Sequence, residues 1–181
     1  MNNLSITKFT KDDIKSVYTV FELSIADAFH KEGIEDCEED IIIQVEEKKK
    51  LINSLLDNKE SGLYFLVAKV DDNVIGTISF GPCGDAIKNS TNNELNSIGE
   101  LGSLYILPDY QDKGVGTALI NSMIKYIHGL GIKEFCLDSG YSGAQKRWTR
   151  KFGKPYKIAK DYWGEEADNM VWLCRVSDYL K

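Results

Sequence analysis

The hydrophobic residues of this chain recur at two spacings, one typical of amphipathic helices and one typical of strands. Apolar side chains between Ile14 and Phe29 follow a three-and-four spacing, which predicts a helix with one buried face, and Thr10 is suited to cap its N-terminus. A second helix is predicted over residues 39–56. Clusters of β-branched and aromatic residues predict strands over residues 4–9, 63–70, 74–80, 98–107, 133–138 and 169–176.

The second half of the chain continues this alternation. Residues 117–130 form an amphipathic run that predicts a third helix, and residues 143–152 predict a fourth, ended by Gly153 and Pro155. The polar stretch 82–97 is predicted to be a long loop. Strands and helices in this order predict one α/β (α+β) domain over residues 1–181, with a mixed sheet.

A glycine-rich hexapeptide, Q-D-K-G-V-G, joins the fourth predicted strand to the third helix over Gln111–Gly116. A turn of this kind leaves the first N–H groups of the helix unpaired, and they point at one spot that the helix dipole makes positive. Such a spot binds a phosphate or a pyrophosphate. The plain alternative is a glycine turn that only starts a helix.

Three classes of phosphate-binding loop are compatible with a strand, a glycine turn and a helix. The nucleotide P-loop needs G-x-x-x-x-G-K-[ST], which does not occur in the sequence, and the dinucleotide fingerprint needs a third glycine where this chain has Leu119. The third pattern, [QR]-x-x-G-x-[GA], is matched by Gln111, Gly114 and Gly116. Together with the preceding L-Y-I-L-P-D-Y-Q, this segment resembles the signature of the GNAT superfamily of acyl-CoA-dependent N-acyltransferases.

The resemblance extends over nearly the whole chain and implies a GNAT-type fold, a mixed, mostly antiparallel twisted sheet flanked by helices. It implies acetyl-CoA as co-substrate and no metal. The pyrophosphate is expected at the glycine loop, and the pantetheine arm along the fourth strand, where a β-bulge separates that strand from its neighbour. The N–H of Ile106 is the implied oxyanion donor. The expected cofactor-binding residues are Leu104, Tyr105, Ile106, Gln111, Asp112, Lys113, Gly114, Val115, Gly116, Thr117 and Ser142.

Glu100 is the expected general base. It lies six residues before Ile106 on the same predicted strand, which resembles the position of the catalytic glutamate in many family members. Strand alternation predicts that residues 100, 102, 104 and 106 share one face. Apolar neighbours should raise the pKa of a carboxyl placed there. The alternative is a charged residue at the exposed start of a strand.

The residue at the position of the family's usual general acid departs from the family pattern. Members often carry a tyrosine within F-Y-x-x-x-G, but this chain reads W-T-R-K-F-G, with Thr149 at the tyrosine position. A threonine hydroxyl is far too weak an acid for that role. The asparagine that often begins the same helix is Ser142 here, which is expected to hydrogen-bond the pantetheine less firmly. By position Tyr141 is the best substitute acid, followed by Tyr162.

Charge and cysteine content restrict the partners. A net charge of −6 argues against nucleic-acid binding. The sequence has no apolar run long enough for a membrane span and no secretory signal pattern at its start. Its four cysteines are widely spaced and only two histidines accompany them, which argues for buried reduced thiols, against zinc and for a cytoplasmic protein.

Acidic residues concentrate in one segment, which we call the acidic run. Eight acidic residues and no Lys or Arg lie between Glu32 and Glu47. Charge runs are mostly solvated surface. The functional alternative is attraction of a cationic substrate, to which Glu165, Glu166 and Asp168 would add.

The sequence therefore predicts an N-acetyltransferase that moves an acetyl group from acetyl-CoA to a primary amine of a small molecule or peptide. The alternative is a non-catalytic acyl-CoA-binding or sensing module on the same fold, because the usual tyrosine and asparagine are missing. The identity and charge of the amine acceptor, the range of acyl groups and the formation of a homodimer are left open.

Overall fold

A computed structural model describes residues 3–34, 37–57 and 62–180. The strands are β1 (Leu4–Lys8), β2 (Tyr64–Val70), β3 (Asn73–Gly81), β4 (Glu100–Ile106), β5 (Glu134–Ser139), β6 (Lys157–Ala159) and β7 (Asn169–Arg175). The helices are α1 (Ile14–Lys31), α2 (Glu38–Asp57), α3 (Asp85–Ser90), α4 (Val115–Gly129) and α5 (Ser142–Phe152).

The seven strands form one sheet in the order β1-β2-β3-β4-β5-β7-β6. All neighbouring pairs are antiparallel except β4 and β5, which run parallel. The register of β4 and β5 contains a single pair, Glu100 with Cys136. Beyond that pair, no described strand pairs with the β5-facing edge of β4, which leaves the N–H groups on this edge without a partner strand.

A β-bulge interrupts β4 at Ser103. The pairing with β3 shifts between Thr77 and Ser79, so that two residues of β4, Ser103 and Leu104, lie opposite Ile78 alone. Ser103 has a φ of +47°, an uncommon value for a residue other than glycine. An extra residue in one strand reverses the alternation of side chains beyond it.

The bulge determines which β4 side chains share a face. Beyond it, Leu104 and Ile106 pack against the core under α4, whereas Tyr105 packs against Phe21 of α1 with 5.4 Å between ring centroids. Glu100 lies before the bulge and shares the α1 face with Tyr105. The expectation that Glu100 shares a face with Leu104 and Ile106 is therefore wrong, because simple alternation does not continue through a bulge.

Hydrophobic clusters lie on both faces of the sheet. On one face α4 contributes Leu119 and Met123, which belong to one hydrophobic cluster with Ile78 of β3 and Phe135 of β5. On the other face α1 contributes Phe21 and Ile25, which pack against β2 and α2. These two cores fix β4 between α1 and α4, the helices that border the site described below.

The predicted fold class is confirmed, and the predicted helices and strands lie close to their observed bounds. One local expectation is wrong. The segment 82–97 is not a plain loop, because it contains α3, whose Ile87 is fully buried. No bounds were predicted for the three-residue strand β6, because so short a segment carries no clear alternation.

All four cysteines are free and buried, as expected of Cys136 and Cys174. Within the described ranges, no helix combines the length and the apolar character that crossing a membrane requires.

Candidate functional site

The glycine-rich segment forms the turn between β4 and α4. Gly114 caps α4 with a φ of +85°, a left-handed conformation that glycine adopts without strain. Ala118 N donates to Gly114 O at 3.0 Å and makes the first bond of the helix, so the N–H groups of residues 115–117 have no partner within it. The dipole of this 15-residue helix adds positive potential at the same point, which makes it an anion site.

Gly116 brings the first turn of α4 against the end of β4. A Cβ at Gly116 would lie 3.0 Å from Ile106 Cδ1, closer than ordinary van der Waals contact. The missing side chain therefore lets the helix N-terminus and the free edge of β4 approach each other.

A cavity of about 500 Å³ lies between α1, β4, the N-terminus of α4 and α5. Its size is that of a small-molecule or cofactor site. A smaller cavity of about 310 Å³, lined by parts of β1, β2 and α2, is mostly apolar and lies away from the glycine loop. The larger cavity is lined by nine of the predicted site residues: Leu104, Tyr105, Ile106, Gln111, Asp112, Gly114, Gly116, Thr117 and Tyr141.

Four predicted site residues do not line this cavity. Val115 is buried in the core, and the Lys113 ammonium lies over a tyrosine ring. The N–H of Ser142 donates to Glu32 Oε2 at 3.1 Å. Glu100 lies near the opposite end of β4, as described below. The predicted roles of these four residues stay predictions.

Basic side chains surround the cavity, and the sequence alone did not point to them. Arg147, Arg150 and Lys151 of α5 and Lys31 of α1 all line it. Guanidinium and ammonium groups bind phosphate oxygens through charge-assisted hydrogen bonds. Their spacing along α5, at i, i+3 and i+4, is the signal that places the three α5 residues on one helix face. The cavity thus combines a helix N-terminus with four cationic side chains.

Gln111 fixes the glycine loop to α1. Its amide donates to Asp27 Oδ2 at 2.9 Å and to the Ile106 carbonyl at 3.2 Å. Lys31 Nζ donates to Gln111 Oε1 at 2.8 Å and pairs with Asp27 at 2.7 Å. This network holds the last turns of α1 against the loop and places the Lys31 ammonium at the edge of the anion site.

The backbone of Ile106 faces the gap between β4 and β5. Leu107 N donates to Ile75 O on β3 at 2.9 Å. Successive N–H groups of a strand point to opposite sides, so the Ile106 N–H points away from β3. The resemblance implied an oxyanion donor at this group, and its orientation is compatible with that role.

Glu100 is held in a recess at the start of β4. Its Oε2 accepts a hydrogen bond from the Gly84 N–H at 2.7 Å. Burial raises the pKa of Glu100 to about 7, and the nearby Asp138 carboxylate contributes to the rise. The side chain is half-buried, so the alternative of an exposed strand residue is wrong. A carboxyl with a pKa near 7 is suited to accept a proton at neutral pH.

Asp138 is a second carboxyl beside Glu100 and was not predicted from the sequence. It follows Cys136, the partner of Glu100, by two residues, and therefore lies on the same face of the neighbouring strand. The fully buried Asn169 donates its amide to Asp138 Oδ2 at 2.8 Å. Burial raises the pKa of Asp138. The only sequence signal was an acidic residue at the end of an apolar strand.

Tyr141 lies at the border of the cavity just before α5. Its hydroxyl donates to Gln44 Oε1 of α2 at 2.8 Å, and burial raises its pKa to about 12. The phenol is therefore protonated at neutral pH. Thr149 is exposed and does not line the cavity. Tyr162 packs edge-to-face on Trp163, with ring centroids 4.7 Å apart.

The acidic run has local structural contacts. Glu32 accepts the N–H groups of the first two residues of α5 at 3.1 and 3.0 Å. Residues 38–40 form the first turn of α2, where negative charge is favoured by the helix dipole. Glu35 and Asp36 lie outside the described residues. Glu32 at least is engaged in capping a helix.

The sequence matches the family model of acetyltransferases of the GNAT family over residues 20–153. No curated protein matches the chain.

Many solved structures share the fold. One is a putative acetyltransferase of the GNAT family from Desulfovibrio desulfuricans, 17% identical, with a TM-score of 0.72 over 96% of this chain and 99% of that one. The PaiA N-acetyltransferase of Thermoplasma acidophilum, in complex with coenzyme A, is 23% identical, with a TM-score of 0.69 over 93% and 98%. YncA of Salmonella typhimurium, with acetyl-CoA, is 16% identical, with a TM-score of 0.67 over 97% and 95%. On the match of its sequence to the family model, this chain belongs to the GNAT family of acetyltransferases.

Proposed function

We propose that this protein is an acetyl-CoA-dependent N-acetyltransferase that acts on a primary amine of a small molecule or peptide. The observation that carries the proposal is the cavity of about 500 Å³, which joins the N-terminus of α4 to the free edge of β4. A pyrophosphate fits the helix end, and the amides of a pantetheine arm fit the strand edge as an added strand would. The PaiA and YncA structures hold coenzyme A or acetyl-CoA, which supports this choice of co-substrate.

The cationic groups at the cavity lie in two places, and each place suits a different phosphate group of the co-substrate. The N–H groups of residues 115–117 and Lys31 lie at the glycine loop and would hold the pyrophosphate. Arg147, Arg150 and Lys151 lie on α5 and would hold the remaining phosphate. Described residues contain no group of three or more His, Cys, Asp or Glu that could hold a metal ion, and the reaction proposed here needs none.

The first step of the proposed reaction removes a proton from the amine acceptor. The acceptor enters as an ammonium ion, and Glu100 takes one proton from it through intervening water. The neutral nitrogen attacks the thioester carbon, and the carbonyl oxygen becomes an oxyanion that the Ile106 N–H stabilises. The C–S bond then breaks while the nitrogen releases its second proton to solvent, which leaves a neutral amide and the thiolate of coenzyme A. Asp138 supports the first step because its negative charge raises the proton affinity of Glu100.

Tyr141 is the proposed proton donor to the leaving thiolate. It lines the same cavity and is protonated at neutral pH, which supports the assignment. Its hydroxyl must first release Gln44, which is 2.8 Å away. A thiolate is also a tolerable leaving group without help, so loss of Tyr141 is expected to slow the reaction less than loss of Glu100.

The competing function is a non-catalytic acyl-CoA-binding or sensing module. Exposed Thr149 at the usual tyrosine position favours it. An assay of free thiol released from acetyl-CoA separates the two, with polyamines, amino acids and peptides as acceptors. We expect amine-dependent release that falls about 10²–10⁴-fold in Glu100→Gln and stays unchanged in Glu134→Gln, a strand glutamate on β5. Tight acetyl-CoA binding without release on any amine would favour the binding module.

A cationic acceptor and a cytoplasmic location are part of the proposal, and the oligomeric state is left open. The acidic run and Glu165 and Glu166 support a cationic acceptor through long-range attraction, although Asp168 is paired with Lys160. A cationic acceptor would be supported if the rate with a polyamine falls as salt is added while the rate with a neutral-tailed amine does not change. Four free, buried cysteines support a reducing compartment.

A further inference from the structure

Ser24 of α1 has a buried hydroxyl without a partner. The residue is only 5% exposed, and its Oγ has no hydrogen-bond partner among the described residues. Ser24 also lines the cavity between α1 and β4. A buried hydroxyl that makes no hydrogen bond is costly, so an isolated one at a cavity wall suggests that a ligand supplies the partner.

Two other hydroxyls in the helices of this protein, those of Thr19 and Ser54, behave differently. Thr19 Oγ1 of α1 donates to the Lys15 carbonyl at 3.2 Å, and Ser54 Oγ of α2 donates to the Leu51 carbonyl at 2.8 Å. Such bonds to the preceding turn are the usual way in which a helical hydroxyl is satisfied. Ser24 lacks this bond, so its hydroxyl has no partner in the preceding turn of the helix that lines the cavity.

The position of Ser24 along α1 indicates which part of an acyl-CoA it faces. Lys31 and Asp27, on the same helix face, contact Gln111 at the pyrophosphate end. Ser24 lies two turns before Lys31, about 10 Å away along the helix axis. Phe21, one turn earlier still, packs on Tyr105 beside the bulge. Ser24 therefore lies toward the bulge end of the cavity, where the proposed reaction places the thioester.

We propose that Ser24 Oγ donates a hydrogen bond to the thioester carbonyl oxygen of bound acyl-CoA. It would act as a second hydrogen-bond donor beside the Ile106 N–H, which faces the gap between β4 and β5. This inference rests on the proposed function, since it assumes acyl-CoA in the cavity. The bond would strengthen when the carbonyl becomes an oxyanion, because charge-assisted hydrogen bonds are stronger than neutral ones.

Removal of the hydroxyl has opposite effects on the free and the bound protein. In Ser24→Ala the affinity for acetyl-CoA, measured by calorimetry, is expected to fall about 2- to 10-fold, the equivalent of one neutral hydrogen bond. The affinity for coenzyme A, which has no acyl carbonyl, is expected to stay the same. The melting temperature of the free variant is expected to rise, because an unpartnered buried hydroxyl is removed.

Ser54→Ala is the matched control. It makes the same chemical change in an exposed helical position, where the gain in helix propensity is opposed by loss of the hydrogen bond to the Leu51 carbonyl. The melting temperature of Ser24→Ala should rise more than that of Ser54→Ala, and Ser54→Ala should leave both affinities unchanged.

Three results would overturn the inference. Equal affinity losses for acetyl-CoA and coenzyme A would place the contact on the pantetheine instead of the carbonyl. Unchanged acetyl-CoA affinity would remove the contact altogether. A lower melting temperature of free Ser24→Ala would show that the hydroxyl already has a partner. If the wild-type protein does not bind acetyl-CoA, the proposed function itself fails. If the wild type and Ser24→Ala bind acetyl-CoA equally well, only the role of Ser24 is refuted.

Discussion

The replacement Glu100→Gln is expected to stabilise the fold while it removes the proposed base. Burial and the neighbouring Asp138 raise the pKa of Glu100 from 4.5 to about 7. A carboxyl with a higher pKa in the folded state than in the unfolded chain binds its proton more tightly when folded, so its ionisation opposes folding. The resulting loss of folding stability is small below pH 4.5, grows between pH 4.5 and about 7, and then stays constant.

The size of the effect follows from the difference between the two pKa values. At about 1.4 kcal/mol per pKa unit, the difference between 4.5 and about 7 amounts to about 3 kcal/mol of lost stability above pH 7. Between pH 5 and pH 8, the loss grows by about 2–3 kcal/mol. Glutamine does not ionise, and its amide oxygen can still accept the Gly84 N–H that lies 2.7 Å from the carboxylate.

Urea unfolding of both proteins at pH 5 and pH 8 measures this difference. The stability of Glu100→Gln relative to wild type should be about 2–3 kcal/mol more favourable at pH 8 than at pH 5. Glu134→Gln, at the start of β5, makes the same chemical change and serves as the matched control. The same relative stability of Glu100→Gln at both pH values would refute the raised pKa and with it the argument that Glu100 is tuned as a base.

Three further changes test other parts of the site. Asp138→Asn removes a charge that raises the pKa of Glu100, so the acid limb of the kcat/KM profile, expected near pH 7, should move to lower pH; an unmoved limb contradicts the coupling. Burial would raise the pKa of Glu32, but the N–H groups of Gly143 and Ser142 outweigh it and lower that pKa. Glu32→Gln should therefore cost about 0.5–1 kcal/mol in urea unfolding at pH 7, and the cost should shrink as the pH falls below the ordinary value of 4.5; a cost independent of pH would argue against this cap. Gly114→Ala should lower stability by about 1–2 kcal/mol, because its φ of +85° strains any side chain although nothing lies within 4 Å of its Cβ position; a neutral result in thermal unfolding would refute that account.

The parts of the fold predicted from sequence are those that local signals determine. The glycine loop and α4 were predicted because Gly114, Gly116 and the apolar spacing after them act over a few residues. The nine predicted residues that line the cavity come from this one segment and the strand before it, with Tyr141 added by position after β5.

The features that were missed depend on contacts between distant segments. The bulge at Ser103 is fixed by the pairing of β4 with β3, and no residue near Ser103 predicts it. Asp138 becomes a neighbour of Glu100 only because two strands that are far apart in sequence lie side by side. The basic residues of α5 become part of the site only because the fold places α5 beside the cavity.

The central claim is that acetyl-CoA binds with its pyrophosphate at the N-terminus of α4. Calorimetric titration of acetyl-CoA into wild type and Gly116→Glu tests it most directly, with Gly129→Glu at the far end of the same helix as control. The variant at residue 116 adds a negative charge at the anion site and a Cβ 3.0 Å from Ile106 Cδ1, whereas nothing lies within 4 Å of a Cβ at residue 129. We predict that wild type and Gly129→Glu bind one acetyl-CoA each and that Gly116→Glu loses more than about tenfold in affinity. Equal affinity in all three proteins would contradict the account.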